Sequence, residues 1–149
     1  MSTINKPTDA EIVARHYLIA SLRTDAPDGT NPRITKQASD KANEISWQFL
    51  EIIGQDAIRQ VEEAYRVGDY GRHPDCGSDR PWLAAMGHDL WLTSQGHGTG
   101  FWDRQSEGIG EELGDYLTRQ AQRFSGIHPE FYRGWLYLHG TEPLSLKAE

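Results

Sequence analysis

The chain has 149 residues and carries 15 Lys and Arg against 22 Asp and Glu, a formal charge of −7 at pH 7. That length suits one domain with its own core, and 5 Trp, 6 Tyr and 4 Phe exclude a wholly disordered chain. The acidic balance opposes binding to phosphate backbones, no apolar run approaches the ~20 residues that cross a bilayer, Met1 to Pro7 lack the apolar stretch of a signal peptide, and the lone Cys76 excludes an internal disulfide or a four-cysteine zinc site.

The first expected element is a helix over 8–23. Thr8 can cap its free N–H groups and Glu11 can reach back to complete a capping box, while Ile12, Val13, Tyr17 and Ala20 recur at the three- and four-residue steps of a core-facing stripe, with His16 on or beside it. Thr24 to Ile34 contains Pro27, Asp28, Gly29, Asn31 and Pro32 and is expected to be a loop. From about Ser39, the residues Ala42, Ile45, Phe49, Ile52 and Ile53 restore helical spacing, with Trp47 on another face. Gly54 divides this run, and a second helix is expected from Asp56 to about Val67, with Ile58, Val61, Ala64 and Tyr65 inward. Five glycines and prolines between Gly68 and Pro81 define a connecting loop.

Asp89-Leu90-Trp91-Leu92-Thr93 reads as a strand, and the glycine-rich turn to Gly100 leads into Phe101-Trp102-Asp103, so a hairpin over 88–103 is expected. Ile109, Leu113, Leu117, Ala121 and Phe124 mark a further helix closed by Ser125-Gly126, and Phe131 to Leu138 read as one or two strands before a frayed tail, 141–149. The expected fold is α+β in one domain, with a helical part over about 8–67 packed on a small antiparallel sheet and a further helix in the C-terminal half.

The glycine-rich segment holds the densest concentration of chemically capable residues. Its aromatic rings and glycines suit a structural role, since large apolar side chains are mostly buried. A sharper alternative is a metal-dependent hydrolase in which His88, Asp89, His97 and Asp103 hold Zn²⁺ or another divalent ion, although no H-E-x-x-H or paired-cysteine spacing supports it. Ser94 and Thr99 near His97 lack a nucleophile elbow, and Cys76 beside His73 has the character of an unreactive loop thiol. Gly96-x-Gly98-x-Gly100 lacks the spacing of a dinucleotide fingerprint. Arg119 and Arg123 share a helix face and, with Arg133, could form a basic spot, for which a solvated surface is the default. No cofactor is expected.

The whole stretch from Gly87 to Asp103, with Leu113-Gly114-Asp115-Tyr116-Leu117-Thr118-Arg119-Gln120-Ala121 after it, resembles a family of small proteins of bacteriophages and other bacterial mobile elements. Their shared block reads G-H-D-[FL]-W-L-T-x-x-G-H-G-x-G-F-W-D followed by L-G-x-x-L-T-x-x-A. The likeness covers about 35 residues closely and weakens upstream. Residues 57–86 are longer than in such relatives, and Phe131-Tyr132-Arg133-Gly134 stands where an acidic D-D-G turn is expected. The resemblance implies a mobile-element origin and the cytoplasm of a bacterial host. That context suggests an accessory protein without chemistry of its own, which inhibits a host protein or nucleoprotein complex, such as a CRISPR effector or restriction enzyme, by protein contact.

Charge patterning supplies the candidate surface. Asp103, Glu107, Glu111, Glu112 and Asp115 are opposed only by Arg104 and form the densest acidic segment, with Trp91 and Trp102 as accompanying aromatics. The competing explanation is that acids stabilise the start of their own helix. A third possibility, a single-stranded nucleic-acid module stacking bases on Trp91, Trp102 and Trp135, is disfavoured by the net charge.

Overall fold

The computed structural model describes residues 6–68, 70 and 78–141. Helix α1 spans Asp9–Asp25, strand β1 Arg33–Ile34, helix α2 Lys36–Val67, helix α3 Pro81–Ser94, a 3₁₀ segment Phe101–Glu107, helix α4 Gly110–Gln122, and strands β2 and β3 His128–Tyr132 and Trp135–His139. The α+β class is as expected. Among the described residues no helix is long and apolar enough to cross a membrane.

Helix α1 begins at the anticipated capping box: the Glu11 amide donates to Thr8 Oγ1 at 3.1 Å and the Thr8 amide to Glu11 Oε1 at 2.7 Å. Its stripe of Ile12, Val13, Tyr17 and Ala20 is buried. Helix α2 is capped by Thr35, whose Oγ1 accepts from the Ala38 amide at 3.0 Å. Gly54 breaks it with φ 87° and ψ 162°, a conformation essentially closed to side-chain-bearing residues. The break frees carbonyls that Tyr116 of α4 serves, its hydroxyl donating to Ile52 O at 3.3 Å and Ile53 O at 3.2 Å.

Residues 88–103 do not form the expected hairpin. Asp89 to Thr93 lie in α3, and the residues after it turn into the 3₁₀ segment. The short apolar run Leu90-Trp91-Leu92 misleads because α3 is buried on nearly every side, Leu83 to Gly87 and Asp89 to Ser94 included. A helix enclosed all round shows no amphipathic period. It fits against α1 because residue 87 has no side chain: a Cβ there would collide with the Val13 carbonyl oxygen and lie 3.0 Å from the Tyr17 amide nitrogen. One turn further on, the Tyr17 and Trp91 rings meet edge to face at 5.1 Å.

The buried apolar residues form one contiguous cluster. Phe49 is central to it, stacking on Phe101 at 5.8 Å and meeting Phe124 edge to face at 6.2 Å. The sheet, ordered β1-β3-β2, is mixed rather than antiparallel, because Arg33–Ile34, expected to be loop, pairs in parallel with Trp135–Leu136. β2 and β3 pair antiparallel through the tight turn at Arg133 and Gly134, both at positive φ. Past β1, the Gln37 side chain continues the ladder: Nε2 donates to Leu138 O at 2.6 Å, and Oε1 accepts from the Leu138 amide at 3.0 Å. Leu136 and Leu138 are buried beneath the sheet. Most of the connecting loop, with His73 and Cys76, and the tail 142–149 lie outside the described residues.

Candidate functional site

The polar residues of the glycine-rich segment build structure. Asp89, only 2% exposed, accepts from Arg104 Nη2 at 3.0 Å and Nε at 3.2 and 3.3 Å, and from the buried Tyr70 hydroxyl at 3.2 Å. This charge-assisted clasp joins α3 to the 3₁₀ segment. Trp91 Nε1 donates to Thr24 Oγ1 at 2.9 Å and to Asp25 Oδ2 at 3.0 Å, tying α3 to the C-terminal end of α1. His97 Nε2 meets the same Asp25 oxygen at 3.3 Å. Thr93 Oγ1 accepts from the Phe101 amide at 3.1 Å, Gln95 Nε2 donates to Ile127 O at 2.6 Å, and Asp103 Oδ2 accepts from the Gly100 amide at 3.1 Å. Ser94 Oγ donates to Trp91 O within its own helix at 3.1 Å.

The four residues considered as metal ligands are therefore drawn apart. Asp89 faces Arg104, His97 faces Asp25 and Asp103 caps a turn, while His88, adjacent to Asp89 on a helix, projects about 100° away from it. Among the described residues no three His, Cys, Asp or Glu side chains gather as a metal site.

The proposed contact residues also separate. Trp91 is fully buried and offers no surface, a correction that follows from its place on the enclosed helix, whereas Trp102 is 48% exposed. Asp103 is committed to its turn, and Asp115 accepts from Gln105 Nε2 at 2.9 Å. The Glu107 side chain lies outside what is described. Glu111 and Glu112 are exposed in the first turn of α4 and face a groove of about 560 Å³ between α4 and the second half of α2. Asp56 lines the same groove, with Ile53, Ala57, Ile109 and Leu113 at its apolar base.

Asp56 was not foreseen, because 55 positions separate it from Glu111 and only the bend at Gly54 sets the two helix starts side by side. Acids suit both helix starts electrostatically. Arg59 pairs with Asp56 Oδ1 at 3.1 Å and Gln60 Nε2 donates to its Oδ2 at 3.0 Å, both in a largely solvated setting where such contacts are weak. Glu111 and Glu112 form no ion pair with Lys or Arg among the described residues. The arrangement is an acidic rim over a small apolar floor, complementary to a basic side chain with an aliphatic stem.

Comparison with family models, with curated proteins and with solved structures gives no match.

Proposed function

We propose that the protein is a mobile-element accessory factor that blocks a host defence complex by occupying a protein surface. The observation that carries this reading is the groove framed by Asp56, Glu111 and Glu112. Lys and Arg that a nuclease or CRISPR effector presents to phosphates would meet carboxylates there instead, and their stems would lie on Ile109 and Leu113. The use of the glycine-rich segment's polar groups as internal ties agrees with a binding protein, since chemistry needs such groups turned toward a substrate.

The test is inhibition of DNA cleavage by a panel of purified CRISPR effectors and restriction nucleases, run with the native protein and with the double variant Glu111→Lys/Glu112→Lys. Reversal at a helix start costs roughly 0.3–1 kcal/mol per charge, so the variant stays folded with a slightly lower melting temperature. Inhibition should fall at least tenfold and weaken with salt in the native protein, the behaviour of a charge-steered contact. Equal inhibition by both proteins, or none across the panel, defeats the proposal.

A further inference from the structure

The outward face of the sheet differs from the rest of this acidic chain. Alternation along β2 and β3, with their register, places His128, Glu130 and Tyr132 opposite His139, Tyr137 and Trp135 on one side, while Leu136 and Leu138 point to the core. Arg33 of β1 joins that outward side beside Trp135. Tyr132 and Trp135 are 53% and 39% exposed. A guanidinium lies over each: Arg33 sits 5.8 Å from the Trp135 ring and Arg133 sits 5.3 Å from the Tyr132 ring. The carboxylate on this face, Glu130, is tied to His139 Nε2 at 2.6 Å. Two arginines against the one carboxylate of Glu130 make these residues net positive on a chain whose net charge is −7.

We propose that this face is a stacking platform for an unpaired polynucleotide strand. Every base offers a π-face to an aromatic ring, and each arginine that lies over its ring here would swing aside to the phosphate that accompanies the base. Tyr137, two residues from Trp135 along β3, is half-buried with its ring stacked on His139 at 6.3 Å, so the exposed rings of the platform are Tyr132 and Trp135. Tyr132, directly across from Trp135, widens the platform to the neighbouring strand. A duplex cannot use it, because its base faces are covered by their own neighbours and its bases present only edges. The cation at each of the two exposed rings favours a ligand that carries negative charge next to each flat ring, as a polynucleotide does. The inference is independent of the acidic groove, from which it shares no residue.

Anisotropy titrations with labelled single-stranded RNA and DNA of about 12 nucleotides, and with the matching duplex, test this directly. Both single strands should bind in a salt-dependent manner and the duplex at least tenfold more weakly. Trp135→Ala should weaken single-strand binding about tenfold, and Trp135→Phe, which keeps a ring, should retain most of it. Arg33→Ala together with Arg133→Ala should flatten the dependence of log affinity on log salt by roughly 1.4, about 0.7 for each lost phosphate contact. These side chains are exposed, so thermal melting should change little. The proposal is overturned if neither single strand binds at low salt, if the duplex binds as tightly, or if Trp135→Ala leaves affinity unchanged. It is equally overturned if light scattering shows a dimer of this chain that Trp135→Ala dissociates, since the face would then belong to a second copy.

Discussion

Replacing Arg104 with Gln should expose how much the clasp on Asp89 contributes. The substitution removes the counter-charge of a carboxylate whose side chain is 2% exposed, while Arg104 itself is 22% exposed. Loss of one partner from a buried pair costs about 3–5 kcal/mol. The Tyr70 hydroxyl still donates to Asp89, so the low end, about 3 kcal/mol, is expected, a fall in melting temperature of roughly 6–12 °C for a chain of this size. Asp89→Asn should cost less, about 1–2 kcal/mol, because an amide oxygen can still accept and the partly exposed guanidinium can turn to water. The asymmetry follows from which partner is deeper. In the double variant a neutral Asn faces a neutral Gln, and the total should fall short of the sum of the singles by at least about 1 kcal/mol. Urea unfolding of the four proteins, fitted for midpoint and slope, measures all three quantities. A cost for Arg104→Gln below about 1 kcal/mol, or below that of Asp89→Asn, would refute the reasoning, as would strict additivity.

Two glycines should fail for different reasons. Gly87→Ala meets the Val13 backbone and should cost about 1–3 kcal/mol through forced separation of α1 and α3. Gly54→Ala meets no atom within 4 Å, but must hold φ 87° and should cost a similar amount through backbone strain alone; thermal melting checks both, and a neutral result at either position contradicts its mechanism. Trp91→Phe keeps the ring packing but removes the Nε1 donor shared by Thr24 and Asp25, an expected loss of about 1–3 kcal/mol in denaturant unfolding. Elemental analysis after equilibration with zinc and desalting should find no stoichiometric metal, and one zinc per chain that disappears in His97→Ala would show that the dispersed ligand set gathers after all.

Local chemistry sufficed where an element's partners lie within a few residues. The capping box at Thr8 and Glu11, the stripe from Ile12 to Ala20, the break at Gly54 and the apolar spacing of α4 are all written within one or two helical turns, and each is found in the fold. The Phe131 to Leu138 strands belong to the same group, because the Arg133-Gly134 turn joins them directly. Elements whose identity depends on distant partners were not legible. Residues 89–93 read locally as a short apolar strand, yet their polar groups are satisfied by Arg104, Thr24, Asp25 and the Phe101 amide, which is what allows a helix to be enclosed on almost every side. β1 is two residues long and gains its pairing from a strand about 100 positions away. The candidate surfaces divide in the same way. Composition marked Glu111 and Glu112 as part of an acidic segment. Only the bend in α2 set Asp56 beside them, only burial removed Trp91 from the surface, and only strand register gathered Arg33, Tyr132 and Trp135 on one face. Side chains far apart in sequence acquire a common environment through packing, and no local period encodes that.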